Sequence, residues 1–132
     1  MLILPITYTD FNGEKRTEKY HFNMSRTELT DLELAYPGGL SSILKSIAAE
    51  EDPKKIYDMF KILVAKSYGL RSDDGRSFVK SDKISAEFAQ TAAYDQLIMD
   101  FFQKDNYAVN FVRGILPAGM ELGDVNAAAN NT

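Results

Sequence analysis

Few residues in this chain could do chemistry, and none stands beside a catalytic partner. With one histidine, His21, and no cysteine, a Ser-His or Cys-His nucleophile has one possible base and no thiolate, and disulfides and Cys-based zinc sites are excluded. His21 falls mid-strand beside no evident nucleophile, so a solvated strand residue is the expected role. Asp73-Asp74-Gly75 is acidic like a calcium loop but lacks the alternating ligands and the closing glutamate. The Asp-Gly step predicts a plain turn instead. Asp95 and Asp100 could do acid–base work only with a second group that nothing in the spacing supplies, and both are expected on a solvated helix face. No phosphate-binding glycine loop, dinucleotide fingerprint or metalloprotease helix occurs. These residues predict a protein that is not an enzyme and takes no metal or cofactor.

Two clusters have a bearing on binding. Lys66, Arg71, Arg76, Lys80 and Lys83 gather around one turn-rich stretch, but Asp73, Asp74 and Asp82 are interleaved with them and nearly cancel the field, which predicts a solvated loop. Tyr94, Phe101, Phe102, Tyr107 and Phe111 put more large rings into a short stretch than one thin helical stripe buries in a domain of this size. Core packing takes most of them, and the surplus marks a partner-binding surface. Phe101 and Phe102 are adjacent, and helical geometry turns neighbours about 100° apart, so one of the two belongs at a boundary.

These clusters need positioning elements, which hydrophobic periodicity supplies. Leu2 to Phe22 is rich in Thr, Tyr, Ile and Phe around Asp10-Phe11-Asn12-Gly13-Glu14 and reads as a β-hairpin. A two-residue Asn12-Gly13 loop would put Ile6 and Tyr8 on the face opposite Tyr20 and Phe22. A three-residue loop, Phe11-Asn12-Gly13 with Gly13 left-handed, pairs Asp10 with Glu14 and gathers Leu4, Ile6, Tyr8, Tyr20 and Phe22 on one core face. Thr7, Thr9, Thr17, Lys19 and His21 then face water.

Ser25-Arg26-Thr27-Glu28 has capping-box spacing and predicts a helix start, with Leu29, Leu32 and Tyr36 as its stripe and Pro37-Gly38-Gly39 as its stop. A second helix is expected on Leu40, Ile43, Leu44, Ile47 and Ala48. The third has Asp52 as cap, Pro53 in the first turn, Ile56, Met59, Phe60, Leu63 and Val64 as stripe, and Gly69 as its end; Met59, Phe60 and Leu63 are its core anchors. After a tight reversal at Asp73-Asp74-Gly75, compatible with a small second hairpin, come a short helix with Ile84 and Phe88, a longer one from about Thr91, and a last one from about Asn106 to Arg113 ending at Gly114. The fold class predicted is α+β, mainly α: an N-terminal hairpin on a bundle of about five helices, in one domain spanning 1–118. Residues 119–132, rich in Ala and Asn, are expected to form a flexible tail.

Bulk composition sets the outer limits. A chain of 132 residues with 45% hydrophobic and 26% charged residues suits one ordinary globular core. Net charge −4 opposes phosphate binding, so no nucleic acid is expected as a partner. The Met1-Leu2-Ile3-Leu4 start is cut off by Pro5 without a basic n-region, and no run of eighteen apolar residues occurs, so neither an export signal nor a membrane partner is expected.

Four segments carry a resemblance: Ile6-Thr7-Tyr8-Thr9-Asp10-Phe11-Asn12-Gly13; the run from Lys66-Ser67-Tyr68-Gly69 through Asp73-Asp74-Gly75 to Phe78; Ala93-Tyr94 after Phe88; and Gly114-Ile115-Leu116-Pro117-Ala118. In this order, from about Ile6 to Ala118, the chain resembles the tail assembly chaperones of siphophages. The resemblance implies a protein in the host bacterial cytoplasm that binds the tape measure protein and keeps it soluble while the tail tube polymerises, and that is absent from the mature virion. It also implies a frameshifted long form of the same chain as a partner, of which this would be the short product, and a tendency to form a homo-oligomer. A structural head–tail connector or tail-completion protein, retained in the particle, is the alternative that composition fits equally.

Overall fold

The structure, a computed structural model, describes residues 1–35, 42, 45, 49, 53–104 and 106–117. Strand β1 (Leu2–Thr9) turns into β2 (Lys15–Phe22) in the register that puts Asp10 opposite Glu14, with Leu2 against Phe22 and Thr9 against Lys15. The loop is the three-residue type expected: the Asp10 N–H donates to the Glu14 carbonyl at 2.8 Å, the Gly13 N–H donates to the Asp10 carbonyl at 3.0 Å, and Gly13 has φ +82°, a conformation a side chain would strain. Because side chains alternate, this register decides which faces meet the core. Ile6 and Phe22 are buried, Leu4, Tyr8 and Tyr20 half-buried, and Thr7, Thr9, Thr17 and Lys19 exposed.

Helix α1 (Arg26–Ala35) begins with the reciprocal capping box: the Ser25 N–H donates to Glu28 Oε1 at 2.9 Å and the Glu28 N–H to Ser25 Oγ at 3.1 Å. Its Leu29 and Leu32 are buried. The expected stop at Pro37-Gly38-Gly39 and most of the helix expected over Leu40 to Ala48 lie outside the described residues. Helix α2 (Pro53–Ser67) buries Phe60, Leu63 and Val64, with Met59 half-buried at the edge of the stripe.

Two glycines do a different job from the one expected. Gly69 does not end α2, which runs to Ser67 and passes directly into β3 (Tyr68–Arg71). Gly69 sits within β3 opposite His21, where a Cβ would lie 2.7 Å from the Phe78 ring and from Lys80 Cγ, so its missing side chain lets those groups cross the strand. Gly114 likewise lies inside the last helix, where a Cβ would meet Leu2 Cδ1 at 2.8 Å. β3 and β4 (Phe78–Val79) form the small second hairpin and extend the sheet to four antiparallel strands in the order β1-β2-β3-β4.

Helices α3 (Asp82–Ala89), α4 (Ala92–Gln103) and α5 (Tyr107–Ile115) complete the layer. Ser81 Oγ caps α3 by accepting from the Ile84 N–H, and Thr91 Oγ1 caps α4 by accepting from the Tyr94 N–H. The described residues thus form a hairpin-led sheet against five helices. One core joins them: Ile6 and Phe22 from the hairpin meet Phe60, Leu63, Leu97 and Phe111 from the helices. The tail expected over residues 119–132 lies outside the described residues.

Candidate functional site

The rings singled out in the sequence divide by depth. Phe111 is a core residue, 2% exposed, with its ring edge-on to Phe22 at 5.2 Å and tilted against Phe60 at 5.4 Å. Phe101 is half-buried over Phe60 and Phe111, and Tyr107 lies edge-on to it at 5.4 Å. Burial, aided by the nearby Asp100 carboxylate, pushes the Tyr107 hydroxyl up to about 12. Tyr94 is half-buried with its ring perpendicular to Phe88 at 5.6 Å, and burial raises its hydroxyl too. Phe102 is 51% exposed. As the 100° offset requires, Phe101 turns inward and its neighbour outward.

Phe102 is not isolated. Its ring stacks on Tyr57 of α2 at 5.8 Å with 26° between the planes, and Lys61 Nζ sits 4.3 Å over the far ring. Met99, one turn earlier on α4, is also exposed. Together α2 and α4 present a surface of two stacked rings and a thioether. Sequence reasoning missed Tyr57. The available signal was a ring next to Ile56 but outside the Met59–Phe60–Leu63 stripe; its pairing with α4 is a tertiary fact.

The charged candidates resolve differently. Asp100 is 6% exposed rather than on a solvated face. It continues the buried Ala93 and Leu97 stripe by helical spacing and is satisfied along its own helix, with Gln96 Nε2 donating at 2.8 Å and Lys104 Nζ at 3.5 Å. Asp95 is exposed, as expected. Asp74 builds the turn itself: its Oδ1 accepts from Ser72 Oγ at 2.7 Å and the Arg76 N–H at 3.0 Å, and these bonds, the backbone one foremost, hold its carboxyl below the usual range. Gly75 has φ +74° in that turn. His21 lies on the face expected but is half-buried, since β3 covers one flank; burial first, then the Arg71 and Lys19 cations, lower its pKa.

Among the five loop cations, Lys66, Arg71, Arg76 and Lys83 are exposed, but Lys80 is a clamp. Its Nζ donates to Glu28 at 2.5 Å, to the Asn23 carbonyl at 2.9 Å and to the Lys66 carbonyl at 3.0 Å, tying β4 to the start of α1 and the end of α2. An open cleft of about 580 Å³ adjoins it, lined by Glu28, Ile62, Ala65, Lys66 and Ser85. Burial alone would raise the Glu28 carboxyl, but the bonds from Lys80 and the Ser25 N–H outweigh it and leave its pKa below the ordinary value. A folded pKa below the unfolded one means that this contribution is fully present above about pH 4.5 and is lost as pH falls through the folded pKa. Glu28→Gln should therefore lower stability by about 1–2 kcal/mol at pH 7, with the difference from the parent shrinking in melts recorded towards pH 3.

Among the described residues no group of three or more His, Cys, Asp or Glu could hold a metal, and no helix is long and apolar enough to cross a membrane. The described residues provide an aromatic surface and a satisfied polar clamp. Comparison with curated proteins and with solved structures yields no match. A protein-family model described as phage tail assembly chaperone matches residues 1–130. That match spans the hairpin, the aromatic helices and nearly all the remaining chain, and the chain therefore belongs to the phage tail assembly chaperone family.

Proposed function

We propose that this protein binds the tape measure protein of its phage and keeps it soluble while the tail tube assembles around it, in the cytoplasm of the infected host. The observation that carries this reading is the exposed Tyr57–Phe102 stack with Met99 beside it, on a chain of the tail assembly chaperone family. A long, aggregation-prone client needs apolar surface to lie against, and rigid rings with an adaptable thioether offer that at small entropic cost. Self-association, a frameshifted long form as partner and absence from the finished virion belong to the same reading. Family membership favours it over a connector retained in the particle.

The test is co-expression of the tape measure protein with and without this chain, scored by the client's soluble fraction, together with mass spectrometry of purified virions. The client should move to the soluble fraction only in the presence of the chain, and the virions should lack it. A client indifferent to the chain, or the chain present in virions at the level of a structural subunit, would overturn the proposal.

A further inference from the structure

The helices cover one face of the sheet, the face of Ile6, Phe22 and Tyr68. The opposite face carries Thr7, Thr9 and Thr17, all exposed, with a side-chain hydrogen bond of 2.9 Å between Thr7 and Thr17. Alternation along β2 and β3 puts Lys15, Lys19, His21 and Arg71 on that same face. No carboxylate accompanies them on the strands. Glu18, the one acidic strand residue, points to the other face, where the Tyr8 and Tyr20 hydroxyls donate to it. Lys15, Lys19 and Arg71 form no ion pair among the described residues.

The β2–β3 register, His21 against Gly69, sets Lys19 against Arg71 when continued by two residues. Like charges in that relation destabilise a sheet. Both cations also act on His21, two residues along β2 from Lys19. In a chain whose net charge is −4, three exposed cations on one face, unpaired among the described residues and beside a half-buried histidine, are complementary to an anionic surface.

We propose that this face docks a carboxylate-rich helix of a protein partner. Phe78 and Lys80 cross this face over Gly69, and the exposed part on β1 and β2 is open to a further layer, most readily a helix. Lys15 and Lys19 stand about 13 Å apart along β2, within reach of carboxylates that repeat about every two turns on one side of a helix. The threonines between the cations are small enough for a helix backbone to approach. Nucleic acid fits less well, because the chain's net charge of −4 opposes the counterion release on which binding to a continuous phosphate chain depends. The surface is separate from the Tyr57–Phe102 surface of α2 and α4, so an acidic partner and an apolar client need not compete.

The experiment is an NMR titration of the isotope-labelled full chain with an alanine-based helical peptide carrying glutamates two turns apart. Its lysine counterpart and a single-stranded oligothymidylate are the comparison arms. Shifts should concentrate on odd-numbered positions of β1, β2 and β3, and the His21 pKa should rise as a carboxylate comes to face its imidazolium. Binding should weaken with added salt, and by about tenfold in the Lys15→Gln, Lys19→Gln, Arg71→Gln triple variant. The melting temperature of that variant should be no lower than the parent's, since like-charge repulsion is removed. Shifts absent or centred elsewhere, or equal binding by the triple variant, would refute the proposal. Tighter binding of the oligothymidylate would replace the acidic helix with a nucleic-acid ligand.

Discussion

Phe60→Ala should cost about 3–5 kcal/mol of folding stability and leave little folded protein at physiological temperature. Phe60 is 3% exposed on the inner side of α2, where Leu63 and Val64 continue the same buried stripe. Its ring packs against Phe101 of α4 and lies 5.4 Å from Phe111 of α5, and Phe111 in turn meets Phe22 of β2. One side chain thus joins three helices to the sheet through a chain of rings. Truncation to alanine removes its own burial and leaves a void that Phe101 and Phe111 can only partly fill, since both are held by other neighbours. A domain of this size has only about 5–15 kcal/mol in total, so the loss is a large share. Chemical denaturation at constant m-value should show the midpoint falling steeply. An unfolding free energy within about 1 kcal/mol of the parent's would remove Phe60 from the core.

What could be read in the sequence follows the range of the interaction that fixes it. The hairpin register was legible because a three-residue loop and side-chain alternation together determine it, within Leu2 to Phe22. The Ser25–Glu28 capping box is equally local. The addition of β3 to β2 was not legible, because it joins segments far apart in the chain, and two misreadings followed from it. By sequence pattern Gly69 is a helix end, whereas its role is to let Phe78 and Lys80 cross the strand, and Lys80 is a solvated cation, whereas its Nζ is bound by Glu28 and two carbonyls. Asp100 shares one helical stripe with Ala93 and Leu97, so position buries it where its charge predicts a solvated face. In the aromatic cluster, the outward turn of Phe102 followed from helical geometry, whereas its stacking partner Tyr57 required knowing which helix packs beside α4.

Phe102→Ala and Tyr57→Ala should each weaken client binding by about 2 kcal/mol, roughly 30-fold in dissociation constant, while leaving the fold intact. The two effects separate because of exposure: Phe102 is 51% and Tyr57 37% exposed, so truncation opens no cavity, and the folded state loses their mutual stack, worth about 0.5–1.5 kcal/mol, together with the Lys61 cation over the ring when Tyr57 is removed. The other rings cannot provide so clean a test. Phe111 is buried, so its loss would unfold the core before it reported on any surface, and half-buried Tyr107 would lower stability and binding together. Because Tyr57 and Phe102 are in contact, the double variant should cost less in binding than the two single variants added, as expected of two rings that form one anchor. The measurement is the soluble fraction of co-expressed tape measure protein, with a circular-dichroism melt of each variant alone. Lost client solubility with a melt lowered by no more than the missing ring contacts account for would locate the client surface on α2 and α4. Parent-like solubility in both single variants and in the double would exclude that surface and leave the uncovered face of the sheet, or the free edge of β1, as the place where the client lies.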